Sequence, residues 1–239
     1  MVAYIWRLKT EYVNPDALIH DSFMLTWAAK WEDSSKVHRG RLTSAEALAK
    51  DDARIVGKLA ELVGKADAIV AHNGDSFDSK RLNQRLLVND LPALSPVRTI
   101  DTLKLVRKHL AFPSNRLDYV ARALGGEGKN KTGFDLWKRA YQGDTSALRE
   151  MDEYCQKDVV ELEEVFQKVR PFVKLPRLID AGPEDGPVCT GCGSERLHRD
   201  GEYHTNASVF QKWRCADCGK TDRTRSAEKA LRPELVPVT

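Results

Sequence analysis

The segment His72-Asn73-Gly74-Asp75-Ser76-Phe77-Asp78 places a carboxylate where metal chemistry is easily arranged. A short apolar run, Ala68-Ile69-Val70-Ala71, precedes it, and a basic amphipathic stretch over residues 79–87 follows. An apolar run that ends in an acid at the mouth of a helix suits a divalent cation held at a strand end. Further on, Tyr154-Cys155-Gln156-Lys157-Asp158 lies inside a long helical pattern, and Tyr154 and Asp158, four positions apart, share one helix face. Hard oxygen donors favour Mg²⁺ or Mn²⁺ over zinc. Two such ions, about 3.5–4 Å apart, can clamp a phosphodiester, activate water and neutralise the leaving oxygen. The chemistry these residues suggest is two-metal hydrolysis of a nucleic-acid backbone.

A second constellation lies near the C-terminus. Cys189-Thr190-Gly191-Cys192 and Cys215-Ala216-Asp217-Cys218 are two C-x-x-C knuckles separated by 22 residues, and a glycine follows each. Paired knuckles turn the chain so that four thiolates face one tetrahedral ion, which predicts a structural Zn²⁺ held by Cys189, Cys192, Cys215 and Cys218. Residues 209–214 read as the strand that delivers the second knuckle. Lys212, Arg214, Arg223 and Arg225 add positive charge, but the tail from Cys189 nets only +2, from 9 basic and 7 acidic residues. Nucleic-acid contact and protein contact, with replication or repair proteins as partners, are evenly matched for this module.

The elements that must position these groups follow from pattern and punctuation. Residues 22–31 read as a strand with 36–41 as its hairpin partner. A helix capped by Ser44 or Asp51 runs to about residue 65, with Ile55, Leu59, Leu62 and Val63 on one face. Short strands over 68–71 and 97–100 alternate with helices over 79–88, 101–108, 116–124, 134–141 and 146–172, which points to a layered α/β sheet. Asp101 is expected to cap the helix it precedes, and His72 to play a structural part. The glycine- and lysine-rich stretch 126–133 is a loop. Proline and glycine punctuation then sets a linker at 176–187, between a first domain (1–175) and the zinc ribbon (188–230), with a tail at 231–239.

The totals exclude some classes. A net charge of +3, from 38 basic and 35 acidic residues, advertises no general affinity for polyanions. Five cysteines in 239 residues, four of them in the two knuckles, do not make a secreted disulfide scaffold. No apolar run reaches membrane-spanning length and the first residues lack a signal-peptide core, so the expected location is the cytoplasm.

The ordered set HNGDSFDSKRL, TIDTLKLVR, NRLDYVARALG, KTGFDLWK and YCQKDVVELEEVF resembles the DnaQ-like 3′–5′ exonucleases of the RNase H-like superfamily, in their phage and bacterial branch. The resemblance covers most of residues 1–172. It implies an RNase H-like mixed sheet flanked by helices, with the zinc ribbon as an addition. It also implies a Mg²⁺- or Mn²⁺-dependent enzyme acting on a DNA or RNA 3′ end. Asp78 matches the second-motif aspartate and Asp158 the third, both metal ligands. Tyr154 matches the tyrosine that orients the attacking water, with Glu153 where the histidine subtype differs. Asn73 matches the second-motif asparagine that contacts substrate, while Lys129 and Lys131 are expected to steer phosphates. Relatives open on a strand ending Asp-x-Glu, which this chain lacks; its expected explanation is that Met1 is internal, some ten residues late. In this fold the lost strand is central, so its neighbours' edges would be exposed. A structure-selective endonuclease and an inactive nucleic-acid-binding adaptor are the competing readings.

Overall fold

The computed structural model describes residues 2–3, 18–32, 34–126, 133–173, 187–205 and 207–230. Lys129, Lys131, the greater part of the linker and the tail lie outside the described residues. The chain begins with β1 (Val2–Ala3) and β2 (Leu18–His20), an antiparallel pair. Next comes the expected hairpin, β3 (Thr26–Lys30) with β4 (Val37–Arg41). Its turn to the helices rests on Trp27, whose indole lies over Gly40 and donates to the Ile55 carbonyl at 2.8 Å.

The single helix expected up to about residue 65 is in fact two, α1 (Ser44–Ala49) and α2 (Ala53–Val63). Thr43, not Ser44, caps α1 in a capping box with Glu46. The chain breaks at Lys50, which takes a left-handed φ of 60°. Asp51 accepts from the Ala53 amide, so it serves α2 from outside. Asp52, the residue that flanks α2, makes no cap bond because its carboxylate is committed elsewhere. It is fully buried and forks onto Arg85, at 2.7 and 2.8 Å, while also accepting from Asn89 and the Met24 amide.

Arg85 belongs to α3 (Asp78–Val88), so this buried pair ties α3 to α2 and to the chain entering β3. Val56, Leu82 and Leu86 complete the contact. Before α3 runs β5 (Ala68–Ala71), and after it β6 (Arg98–Asp101), paired in parallel with Ala71 opposite Asp101. Helices α4 (Thr102–His109), α5 (Leu117–Ala123) and α6 (Phe134–Tyr141) then lead to the 25-residue α7 (Thr145–Val169) and a 3-10 turn over Arg170–Phe172.

Helix α7 is the spine. Its first half, with Ala147, Leu148 and Met151, packs into one core with Trp27, Ile55, Leu136 and Ala140. Its last turns, with Val165, Phe166 and Val169, enter another with Ile100, Val106 and Val120. The middle of the helix lies between these cores and is only half-buried. The expected mixed sheet is, among the described residues, three separate pairs, β1–β2 and β3–β4 antiparallel and β5–β6 parallel, with no described strand joining them. A further antiparallel sheet, formed by β7 (Leu197–His204), β8 (Ser208–Cys215), β9 (Thr221–Arg223) and β10 (Lys229–Ala230), carries the cysteine module. Arg170 donates to the Gly191 carbonyl and Lys220 to the Val173 carbonyl, which docks that module on the end of α7. Among the described residues, no helix is long and apolar enough to cross a membrane.

Candidate functional site

The C-terminal ends of β5 and β6 carry the first group of candidate residues. The chain leaves β5 through His72 and Asn73, and Asn73 adopts a φ of 73°, a left-handed turn that asparagine tolerates. Its amide donates to Asp101 Oδ1 at 2.9 Å. Gly74 is obligatory in a steric sense, since a Cβ there would stand 2.4 Å from the Ala71 Cβ. The turn delivers Asp78 as the first residue of α3, one position inside the N-cap residue Phe77. The capping role that an aspartate after a strand usually takes is therefore not the one Asp78 has.

Asp101 does cap, as expected, accepting from Leu103 N at 3.0 Å with Oδ1. Its Oδ2, buried, has no hydrogen-bond partner among the described residues. The same carboxylate acts on Asp78. Asp78 is open to solvent, yet the protein packed around it pushes its carboxyl above the usual carboxylate range, and the Asp101 charge pushes the same way. The start of α3 and the end of β6 thus each carry a carboxylate, and the charge of Asp101 is felt at Asp78. From the sequence, capping is the favoured role for Asp101, although the family resemblance allows an aspartate near the site at that position. The signal available was its position, since β5 and β6 end in register and place Ala71 opposite Asp101.

His72 is spoken for. Its Nε2 lies 2.8 Å from the Asn115 carbonyl, to which it must donate, and Nδ1 lies 2.9 Å from Thr102 Oγ1. It stitches the strand end to α4 and to the chain entering α5, the structural part expected for it. Beside it, Lys104 pairs with Asp75 at 2.5 Å.

The second group lies on α7. Asp158 falls seven residues after Met151 and seven before Val165, both core residues, so it occupies the inward stripe of the helix. Its Oδ1 is shut off from solvent, as is Oε2 of Glu161 one turn on. Tyr154, one turn before, is half-buried on the same face. A carboxylate on a core-facing stripe is costly unless something there uses it. Glu161 was missed by sequence reading, although its i, i+3 spacing from Asp158 was visible. Asp152, also missed, is buried and faces Arg39 at 3.0 Å and Arg41 at 3.7 Å, so it ties α7 to the hairpin.

Among the described residues, the four cysteines are the one group of three or more acid, histidine or cysteine side chains close enough to share an ion. The carboxylates of Asp78 and Asp158 belong to no such group. The ligand sulfurs of Cys189, Cys192, Cys215 and Cys218 all lie within 4.8 Å of one another, a set suited to a tetrahedral ion such as zinc. Burial pushes the Cys215 thiol up, but the amides of Cys218 and Asp217 and the neighbouring thiols outweigh it and bring it to about 7. Cys215 therefore offers thiolate at neutral pH. The Gly193 and Gly219 amides close the two knuckle turns onto the carbonyls of Cys189 and Cys215.

Set beside known proteins, residues 28–170 match the family model of the RNase H superfamily. No curated protein matches the chain.

Proposed function

Because the chain belongs to the RNase H superfamily, we propose that it is a metal-dependent 3′–5′ exonuclease hydrolysing phosphodiester bonds in DNA or RNA. The observation that carries this reading is the buried Asp101 carboxylate at the end of β6, whose charge reaches Asp78 at the start of α3. Asp101 there keeps a buried oxygen that no donor among the described residues satisfies. A divalent cation relieves such an arrangement, and the all-oxygen donor set suits Mg²⁺ or Mn²⁺.

In this reading Asp78 and Asp158 hold the ions, with Asp101 and Glu161 beside them. Bound ions would polarise the phosphoryl oxygen and lower the pKa of water. Tyr154, one helical turn from Asp158, holds that water in line. Asn73 fixes the turn that aims Asp78 and offers its side-chain amide to the substrate, while Lys129 and Lys131 steer the backbone phosphates. The cysteine module, loaded with zinc, is structural.

One observation favours a second reading, a nucleic-acid-binding protein without catalysis: among the described residues no three carboxylates converge. Incubating end-labelled linear and circular single strands with Mn²⁺ separates the possibilities. Progressive shortening of linear strands alone is the expected result. Nicked circles would indicate an endonuclease, and strands bound but intact would indicate the binding protein.

A further inference from the structure

The sheet of the cysteine module has two unlike faces. Along β8, Val209, Gln211 and Cys215 point one way and are buried, while Phe210, Lys212 and Arg214 point the other. Residues directly opposite in an antiparallel pair share a face. Tyr203 stands opposite Phe210, and Arg223 opposite Lys212, so both join the outward set.

On that face the side chains are ordered by one another. The Arg223 guanidinium sits 3.9 Å from the centre of the Phe210 ring and 5.5 Å from that of Tyr203. The two rings are 6.4 Å apart and tilted by 56°. Tyr203 nevertheless leaves 47% of its surface open. Asp200 takes Arg214 at 3.0 Å and Lys212 at 3.5 Å, but one carboxylate against three cations leaves the face positive. Among the described residues, Arg223 has no carboxylate partner. Lys212 and Arg214, two positions apart on one strand, are separated by about 6.7 Å along it, roughly two nucleotide rises of a stacked strand.

We propose that this outward face binds single-stranded nucleic acid, with Tyr203 stacking on a base and Lys212, Arg214 and Arg223 on the phosphates. The charge and the ring geometry select this occupant. A polyanion complements the three cations, and an open tyrosine ring held by an arginine offers a face on which an unstacked base can lie, which a duplex does not present. The inference deepens the nuclease reading by giving the strand a second grip beyond the acidic site, on a module docked against α7 through Arg170 and Lys220.

The test is anisotropy of labelled oligothymidylate and oligouridylate, each of about 20 nucleotides, with the full metal-loaded chain and no added divalent cation. Salt is varied from about 50 to 200 mM. Each lost phosphate contact should flatten the log–log salt dependence by about 0.7, so Lys212→Ala/Arg214→Ala/Arg223→Ala should flatten it by about 2. The same triple variant should bind at least about tenfold more weakly. Tyr203→Ala should weaken binding about fivefold or more without changing the salt slope. Arg196→Ala, which removes a cation paired with Asp217 in the second knuckle, should leave affinity within about twofold. Native mass spectrometry establishes that each variant still carries its ion. Unchanged affinity and slope in a metal-loaded triple variant would hand the face to an acidic protein and overturn the proposal, as would equally tight binding of a duplex. If the wild-type chain binds as described but cleaves nothing with Mn²⁺, the proposal stands and only the nuclease reading fails.

Discussion

Replacing Asp52 by asparagine tests how α3, the helix that begins with Asp78, is held in place. Asp52 is fully buried, and its two oxygens accept from Arg85 at 2.7 and 2.8 Å, from Asn89 at 2.7 Å and from the Met24 amide at 2.6 Å. The substituted side chain would keep the shape, but it would leave the Arg85 guanidinium, 8% exposed, without a counter-charge. Its amide would also turn a donor toward Arg85 or Asn89. Breaking a buried pair from one side costs about 3–5 kcal/mol. For a chain of this size each kcal/mol lowers the midpoint by roughly 2–4 °C, so Asp52→Asn should melt about 6–20 °C below wild type. Circular dichroism at matched protein concentration reads the midpoint, and urea unfolding reads the free energy. Asp52→Asn/Arg85→Gln should cost clearly less than the sum of its singles, because the two residues act on one another. A loss under about 1 kcal/mol for Asp52→Asn, the size of an exposed ion pair, would refute the reasoning.

Three further outcomes are expected. Gly74→Ala, whose Cβ would stand 2.4 Å from that of Ala71, should cost about 1–3 kcal/mol in urea unfolding, since the turn backbone must shift. Glu46 is held down from the usual 4.5 to about 2, chiefly by hydrogen bonds from Arg54. A depressed carboxylate stabilises above its unfolded value and loses that contribution as pH falls toward its folded one. Glu46→Gln should therefore flatten the fall in urea midpoint between about pH 4.5 and 2, while changing stability at pH 7 by under about 1 kcal/mol because Arg54 is exposed. Stripping the cysteine-bound ion with a strong chelator should release the module's structure, seen as a shift in Trp213 fluorescence; emission unchanged by complete metal loss would contradict a structural ion.

Local signals carried much of the fold. The apolar run before His72, the Asp101 cap and the glycine pair after α5 all act within a few residues, so strands and helices fall close to their expected places. The misplaced helix between residues 44 and 65 shows the limit. Asp51 and Asp52 look alike as caps, and only the remote Arg85, 33 residues later, removes Asp52 from that role. The cysteine module was legible because C-x-x-C spacing is itself geometry. Its outward face was not, because Tyr203 meets Phe210 and Arg223 only through strand register. Of the proposed acidic site, Asp78 and Asp158 are suggested by motif and stripe, whereas Asp101 enters the proposal through the parallel pairing of β5 and β6, which no local pattern encodes. Asp152 was missed for the same reason, its partners Arg39 and Arg41 lying on the distant hairpin.

A two-metal nuclease of the kind proposed needs the β5–β6 strand end and the middle of α7 to share a pair of divalent cations. Calorimetric titration of Mn²⁺ into the chain, with its cysteine site already filled, tests this most directly. Asp78→Asn and Asp158→Asn should each weaken Mn²⁺ binding at least about tenfold, as loss of a charged ligand requires. Two variants that take up Mn²⁺ as tightly as wild type would contradict it.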